Sequence, residues 1–281
     1  MVDTMSLERG SLGSAADYVR RLVRNSFAGR LKAKRMIGRI AQQELRAGEV
    51  ETRIVPALCQ PGKGMVDVGA NHGVYTYLAQ PHAEWVIAAE ANPKLADFVN
   101  RWAGGKVRVV SSAISDERGS ATLHVPLVNQ VEWDGFGSLI AHERTDVPMS
   151  QIRVSKVRLD DLQLDSVGFV KVDVEGHEVE VVRGAKALIV RDRPNLLIEA
   201  EERHRAGSLD HLRAFFSSLN YRVFFLLDGR LAPIEEFAVA THQDPASLVD
   251  GAGRKGLYVN NFIFVPEERE ADIRHQVSLL L

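Results

Sequence analysis

The sequence predicts an α/β fold built on a mostly parallel sheet with an antiparallel finish. Three observations carry this. Short continuous apolar runs alternate with polar stretches of helix length, the pattern of strands covered on both faces and their crossover helices. The first run leads through an acid into a glycine turn, Asp67-Val68-Gly69-Ala70-Asn71-His72-Gly73. The last two strand-like runs, 221–227 and 258–265, have no obvious helix immediately before the second.

Length and composition set the frame. A chain of 281 residues suits one large domain or two small ones with a substantial core. It is 45% hydrophobic and 26% charged, with a net charge of -2, so nothing draws the whole molecule to nucleic acid and any basic patch is local. Cys59 is the single cysteine, which excludes an internal disulfide framework and a cysteine-rich zinc site. It reads as a buried apolar residue. No apolar run approaches the roughly 20 residues that span a bilayer. The opening residues do not form a secretory signal, so a reducing compartment, most simply the cytoplasm, is expected.

Residues 1–48 read as a basic amphipathic helical extension. Val19, Leu22, Val23, Phe27, Leu31, Ile37, Ile40 and Leu45 recur at helical spacing, among many arginines and lysines and almost no acids. Gly29 and Gly38 are expected to divide it into shorter helices. One reading is a lid packed on the main domain with a solvated basic face. The other is peripheral contact with the anionic inner face of a membrane.

The main domain is placed at 49–281. Strands are expected at 65–68, 85–89, 107–110, 169–172 and 196–198, and helices at 73–79, 93–102, 178–189 and 209–219. Residues 119–158 break the alternation and read as inserted strands around a glycine-containing loop. Asp228-Gly229 marks a turn near the end.

Ligands of an open α/β sheet bind beyond the C-terminal ends of its strands. The glycine turn fits the dinucleotide pattern G-x-G-x-x-G poorly, because Val74 follows Gly73. Asp67 would repel a pyrophosphate and suits the ammonium of an amino-acid ligand. Glu90, ending the second strand, suits the two hydroxyls of a ribose, in NAD and S-adenosylmethionine alike.

D-V-G-A-N-H-G at 67–73, E-A-N-P at 90–93, A-I-S-D-E-R-G at 113–119 and K-V-D-V-E-G-H-E at 171–178 appear in order, followed by V-R-G-A at 182–185, I-E-A at 198–200 and N-N-F-I-F-V-P at 260–266. Over residues 60–266 this set resembles the FkbM family of S-adenosylmethionine-dependent methyltransferases. The resemblance implies a Rossmann-like class I methyltransferase sheet of seven mostly parallel strands, the last antiparallel. It implies O-methylation of a sugar, glycolipid or secondary metabolite, with S-adenosylhomocysteine as product. Carried over, Gly69, Asn71 and Gly73 line the cofactor loop with Asp67 behind it. Glu90 holds the ribose with Asn92 beside it, and Ser112 and Ala113 border the adenine. His72, in the same cofactor loop, departs from the small or polar residues usual at its place and reads as a packing or hydrogen-bonding residue beside the nucleoside rather than an acid or base.

The chemistry is expected at the fourth and fifth strand tips. Methyl transfer from a sulfonium is an in-line displacement in which alignment dominates, and a base near the methyl helps a neutral hydroxyl attack. Asp173, next to the methyl in this topology, is the leading base, with His177, Glu199 and His204 as further candidates. Asp173, Glu199 and His204 are a less favoured divalent-cation set. Trp133, Phe136, Ser138 and Glu175 are expected to face the acceptor, a small molecule, glycan or glycolipid rather than a nucleic acid. A homo-oligomer is left open. The competing readings are an NAD-linked oxidoreductase and a catalytically silent module that docks on a membrane or partner.

Overall fold

The computed structural model describes residues 26–128, 131–132, 137–140, 148–249, 253–254 and 256–281. Trp133, Phe136 and the part of the basic extension before Ser26 lie outside the described residues. In chain order the strands among them are β1 (Gly64–Val68), β2 (Val86–Ala89), β3 (Val107–Val110), β4 (Ala113–Ile114), β5 (Gly119–Val128), β6 (Val131–Glu132), β7 (Met149–Val157), β8 (Val167–Val172), β9 (Asn195–Glu199), β10 (Tyr221–Leu227), β11 (Arg230–Pro233), β12 (Leu248–Val249), β13 (Gly253–Arg254) and β14 (Asn261–Pro266).

Eight of them form one sheet in the order β11-β10-β14-β9-β8-β1-β2-β3. From β9 to β3 all pairs are parallel, whereas β14 is antiparallel to both β9 and β10. The sheet thus has the expected class and one strand beyond the expected seven. The cause is local: Asp228 and Gly229 hold φ of 49° and 74°, and this tight turn sends the chain back along β10 as β11.

Every residue of β1 and β8 is buried, as a strand covered on both faces requires. Alternation divides the core between two layers. Val66, Val68, Val170, Val172 and Ile198 pack under the helices Glu178–Gly184, Lys186–Asp192 and Ser208–Ser217. Met65, Phe169, Leu197 and Ile263 pack on the other face with Ile54, Leu58 and Ile273. Cys59 is buried there, its thiol pushed up to about 12 by burial.

The expected division of the N-terminal helix at Gly29 and Gly38 is corrected: Phe27–Ala47 is one continuous helix. Ser26 caps it, its hydroxyl accepting from Gly29 N at 3.2 Å. Gly38 serves close packing, since a Cβ there would lie 3.2 Å from the Tyr77 hydroxyl. Ala33 and Ile37 are buried in one cluster with Phe98, Val99 and Trp102. In the 119–158 region, β5 and β7 form a long antiparallel pair, joined by β4 and β6.

Candidate active site

The glycine turn after β1 is crowded by the protein's own atoms. Gly69 has φ +78°, and a Cβ there would sit 1.7 Å from the carbonyl oxygen of Asp173. Gly73 has φ +85°, and its Cβ would meet the Trp102 ring at 2.4 Å. The turn therefore presses against the residue that follows β8, which brings the first and fourth strand tips of the sequence reading together. Gly69→Ala is expected to destabilise the fold by about 2–4 kcal/mol, from backbone strain and from displacing Asp173. Denaturant unfolding measures it, and an unchanged midpoint would show that the turn simply moves aside.

Asp67 is buried and spoken for: its Oδ2 accepts from Thr76 N at 2.9 Å and Thr76 Oγ1 at 2.6 Å, tying β1 to the following helix. Asn71, at φ 53°, accepts through its Oδ1 from His72 Nδ1 at 2.6 Å, and the His72 ring stands edge-on to Phe98. Glu90 is buried at the tip of β2. Its two oxygens accept from Asn71 N and Asn92 N, each at 2.7 Å. Burial pushes its carboxyl up to about 7 against the pull of those two bonds. Asn92 is buried and caps the helix Pro93–Trp102, accepting from Lys94 N at 3.0 Å. Ser112 Oγ lies 2.7 Å from Ser155 Oγ, joining the exit of β3 to the inserted strands, and Ala113 is buried in β4.

The second half of the site follows from the pleat. Counting by twos from Met65, Phe169 and Leu197 leads to Asp67, to Lys171 and Asp173, and to Glu199, all toward the same face and end of the sheet. Asn261 opens antiparallel β14 opposite Glu199. Lys171 is 1% exposed, with its Nζ 3.6 Å from Asp173 Oδ2, 3.9 Å from Glu199 Oε2 and 3.3 Å from Asn261 Oδ1. The Tyr75 ring lies 5.1 Å from the same Nζ, and its hydroxyl donates to Glu49 Oε2 at 2.8 Å. Asn260 Nδ2 donates to Glu199 Oε1 at 2.6 Å.

Burial alone would discharge Lys171, but Asp173, Glu199, Glu49 and Asp67 together hold its ammonium above the ordinary range. Burial pushes the Asp173 carboxyl up to about 6, opposed by Lys171 and reinforced by Glu175 and Glu49. Glu199 is held well above its usual range by burial and then by Asp173. Four carboxyls, those of Asp173, Glu199, Glu49 and Asp67, thus gather around one ammonium, and Asp173 is more accessible than Glu199, 34% against 15%.

Glu175, at φ 51°, bonds His204 Nδ1 at 2.8 Å, and its backbone carbonyl accepts from the Ser138 hydroxyl at 2.8 Å. Burial lowers the His204 pKa, but Glu175 and Glu201 outweigh it and the net shift is upward. Ser138 is buried and latches the inserted segment onto the loop after β8. His177 has different company: its Nε2 is 3.0 Å from Ser115 Oγ and its Nδ1 3.5 Å from Glu180. It is not paired with the Asp173 cluster. Glu178 is buried, accepts from Gly176 N at 2.7 Å and is pushed up to about 7 by burial.

Among the described residues, no group of three or more His, Cys, Asp and Glu side chains is arranged to hold a metal ion. Between Asp173 and Glu199 the positive charge is the ammonium of Lys171. Lys171, Tyr75, Glu49 and Asn261 are the site residues that sequence reasoning missed.

The parallel strands from β3 to β9, the inserted antiparallel β14 and an acid at the tip of β2 are the arrangement of a class I methyltransferase. Residues 67–223 match the family described as Methyltransferase FkbM domain, more than half of the chain, and the protein belongs to that family. No curated protein matches it. Among solved structures it is similar to a methyltransferase FkbM from Methylobacillus flagellatus KT, at 17% identity and a TM-score of 0.44, over 89% of this chain and 60% of that one. The chain thus spans less than two thirds of that relative's length. It is also similar to precorrin-6y C5,15-methyltransferase from Geobacter metallireducens GS-15, at 14% identity and a TM-score of 0.39, over 76% of this chain and 86% of that one. A third is TrmK of M. capricolum in complex with S-adenosyl-homocysteine, at 12% identity and a TM-score of 0.38, over 78% and 68%.

Proposed function

We propose that this protein transfers a methyl group from S-adenosylmethionine to a hydroxyl of a sugar, glycolipid or secondary metabolite. The observation that carries the reading is the placement of Asp173 and Glu199 around Lys171, on the same end of the sheet as Glu90. The residues suit the cofactor. Glu90 accepts one backbone N–H on each oxygen, which leaves further lone pairs for the ribose hydroxyls. S-adenosylmethionine supplies a methyl carbon made electrophilic by its sulfonium.

Asp173 is the group that takes the acceptor's proton. Its Oδ2 is steadied by Lys171, it is more accessible than Glu199, and its pKa of about 6 lies close to neutral pH, where a base is most effective. Glu199, fixed by Asn260 and raised well above its usual range, is suited to accept or donate a hydrogen bond to a second hydroxyl of a polyol. The Glu175–His204 pair and the Ser138 hydroxyl fix the loop after β8, the segment this reading turns toward the acceptor.

Calorimetric titration with S-adenosylmethionine and with NAD, followed by labelled methyl transfer to candidate polyols, tests the assignment. Binding of NAD in place of S-adenosylmethionine overturns it. Glu90→Ala is expected to weaken S-adenosylmethionine binding by about 1–3 kcal/mol in the same titration. Unaltered affinity would place the ribose elsewhere. None of the described helices is long and apolar enough to cross a membrane.

A further inference from the structure

Among the described residues, the helix Phe27–Ala47 has an uncovered outer face. Its inner stripe of Ala33, Ile37 and Ala41 is buried. Lys32, Arg35 and Arg39, spaced three and four residues apart, share the opposite face and are exposed. Among the described residues none of the three forms an ion pair. No acid occurs in the sequence from Ser26 to Gln43, so the helix itself supplies no counter-charge. Apolar side chains flank the cations: Phe27 is 84% exposed, Leu31 39% and Met36 49%.

We propose that this face docks the protein on an anionic lipid bilayer. Charge complementarity selects the occupant. In a molecule of net charge -2, a concentrated basic stripe is a local attractor for a negative surface. The flanking apolar residues separate a bilayer from a nucleic acid. They gain nothing from phosphates on a polynucleotide, but at a membrane they enter the boundary between headgroups and acyl chains while the longer basic side chains reach the headgroups. The buried inner stripe keeps the helix on the domain, so docking requires no unfolding.

The full chain should sediment with phosphatidylcholine vesicles containing phosphatidylglycerol, not with phosphatidylcholine alone, and high salt should release it. At about fivefold per basic residue near an anionic surface, the triple variant K32E/R35E/R39E should lose roughly 100-fold in partition. All three positions are exposed, so its thermal melt should match the parent and separate a docking defect from a folding one. A second variant, L31S/M36S, should weaken partition without altering the charge. The proposal is overturned if the parent does not sediment with anionic vesicles, or if the triple variant sediments as well as the parent. Retention on single-stranded RNA without vesicle binding overturns it in favour of nucleic acid.

Discussion

Asp173→Asn is expected to lower the methyl-transfer rate by about 10²–10⁴-fold, the usual contribution of a positioned base, with S-adenosylmethionine affinity nearly intact. The amide keeps the shape of the side chain and an oxygen that can still accept from Lys171, 3.6 Å away in the parent. It cannot take a proton at neutral pH. The nucleoside side depends on Glu90 and the glycine turn, which the substitution leaves in place. In the parent the rate should rise with pH through about 6, because the ionised form of Asp173 is the active one. That limb should vanish in the variant. Labelled methyl transfer across pH, with calorimetry for the cofactor, reads both effects. A variant that retains its rate removes Asp173 from the chemistry, and one that melts far below the parent shows a structural role.

The sheet was legible because its strands are covered on both faces. Runs such as Phe169-Val170 and Leu196-Leu197-Ile198 have to be apolar on consecutive positions, and the helices between them keep their own period. Glu90 was legible as an acid directly after an apolar strand. Lys171 was not, although the signal was present: a lysine inside Phe169-Val170-Lys171-Val172-Asp173 is costly unless a carboxylate faces it. Applying the two-residue period to that strand and to β1 and β9 would have grouped Asp67, Lys171, Asp173 and Glu199. Glu49 and Tyr75 had no such signal, because their meeting depends on how the helix before them packs. The glycine turn reads as the cofactor loop, and the atoms that crowd Gly69 and Gly73 are the Asp173 carbonyl and the Trp102 ring. The histidines show the same limit. Identity along the chain could not say that His204 faces Glu175 while His177 faces Ser115.

Lys171→Met is expected to cost about 3–5 kcal/mol of stability at neutral pH, because it strips the counter-charge from carboxylates held out of water. Methionine roughly preserves the length and volume of the stem, so most of the loss is electrostatic. The direction with pH follows from the shifts. Lys171 lowers the pKa values of both Asp173 and Glu199, and burial has already raised both above their ordinary range. Without the ammonium they rise further. Groups whose folded pKa exceeds the unfolded one contribute stability that is present at low pH and is lost as pH climbs through the folded value. The deficit should therefore be small below about pH 5 and large above neutrality, as denaturant unfolding at each pH would show. The rate should respond too: the limb assigned to Asp173 should move to higher pH in Lys171→Met. A purely structural lysine predicts a loss of stability with the limb unmoved. A stability deficit that does not vary with pH would mean the ammonium does not compensate these carboxylates at all.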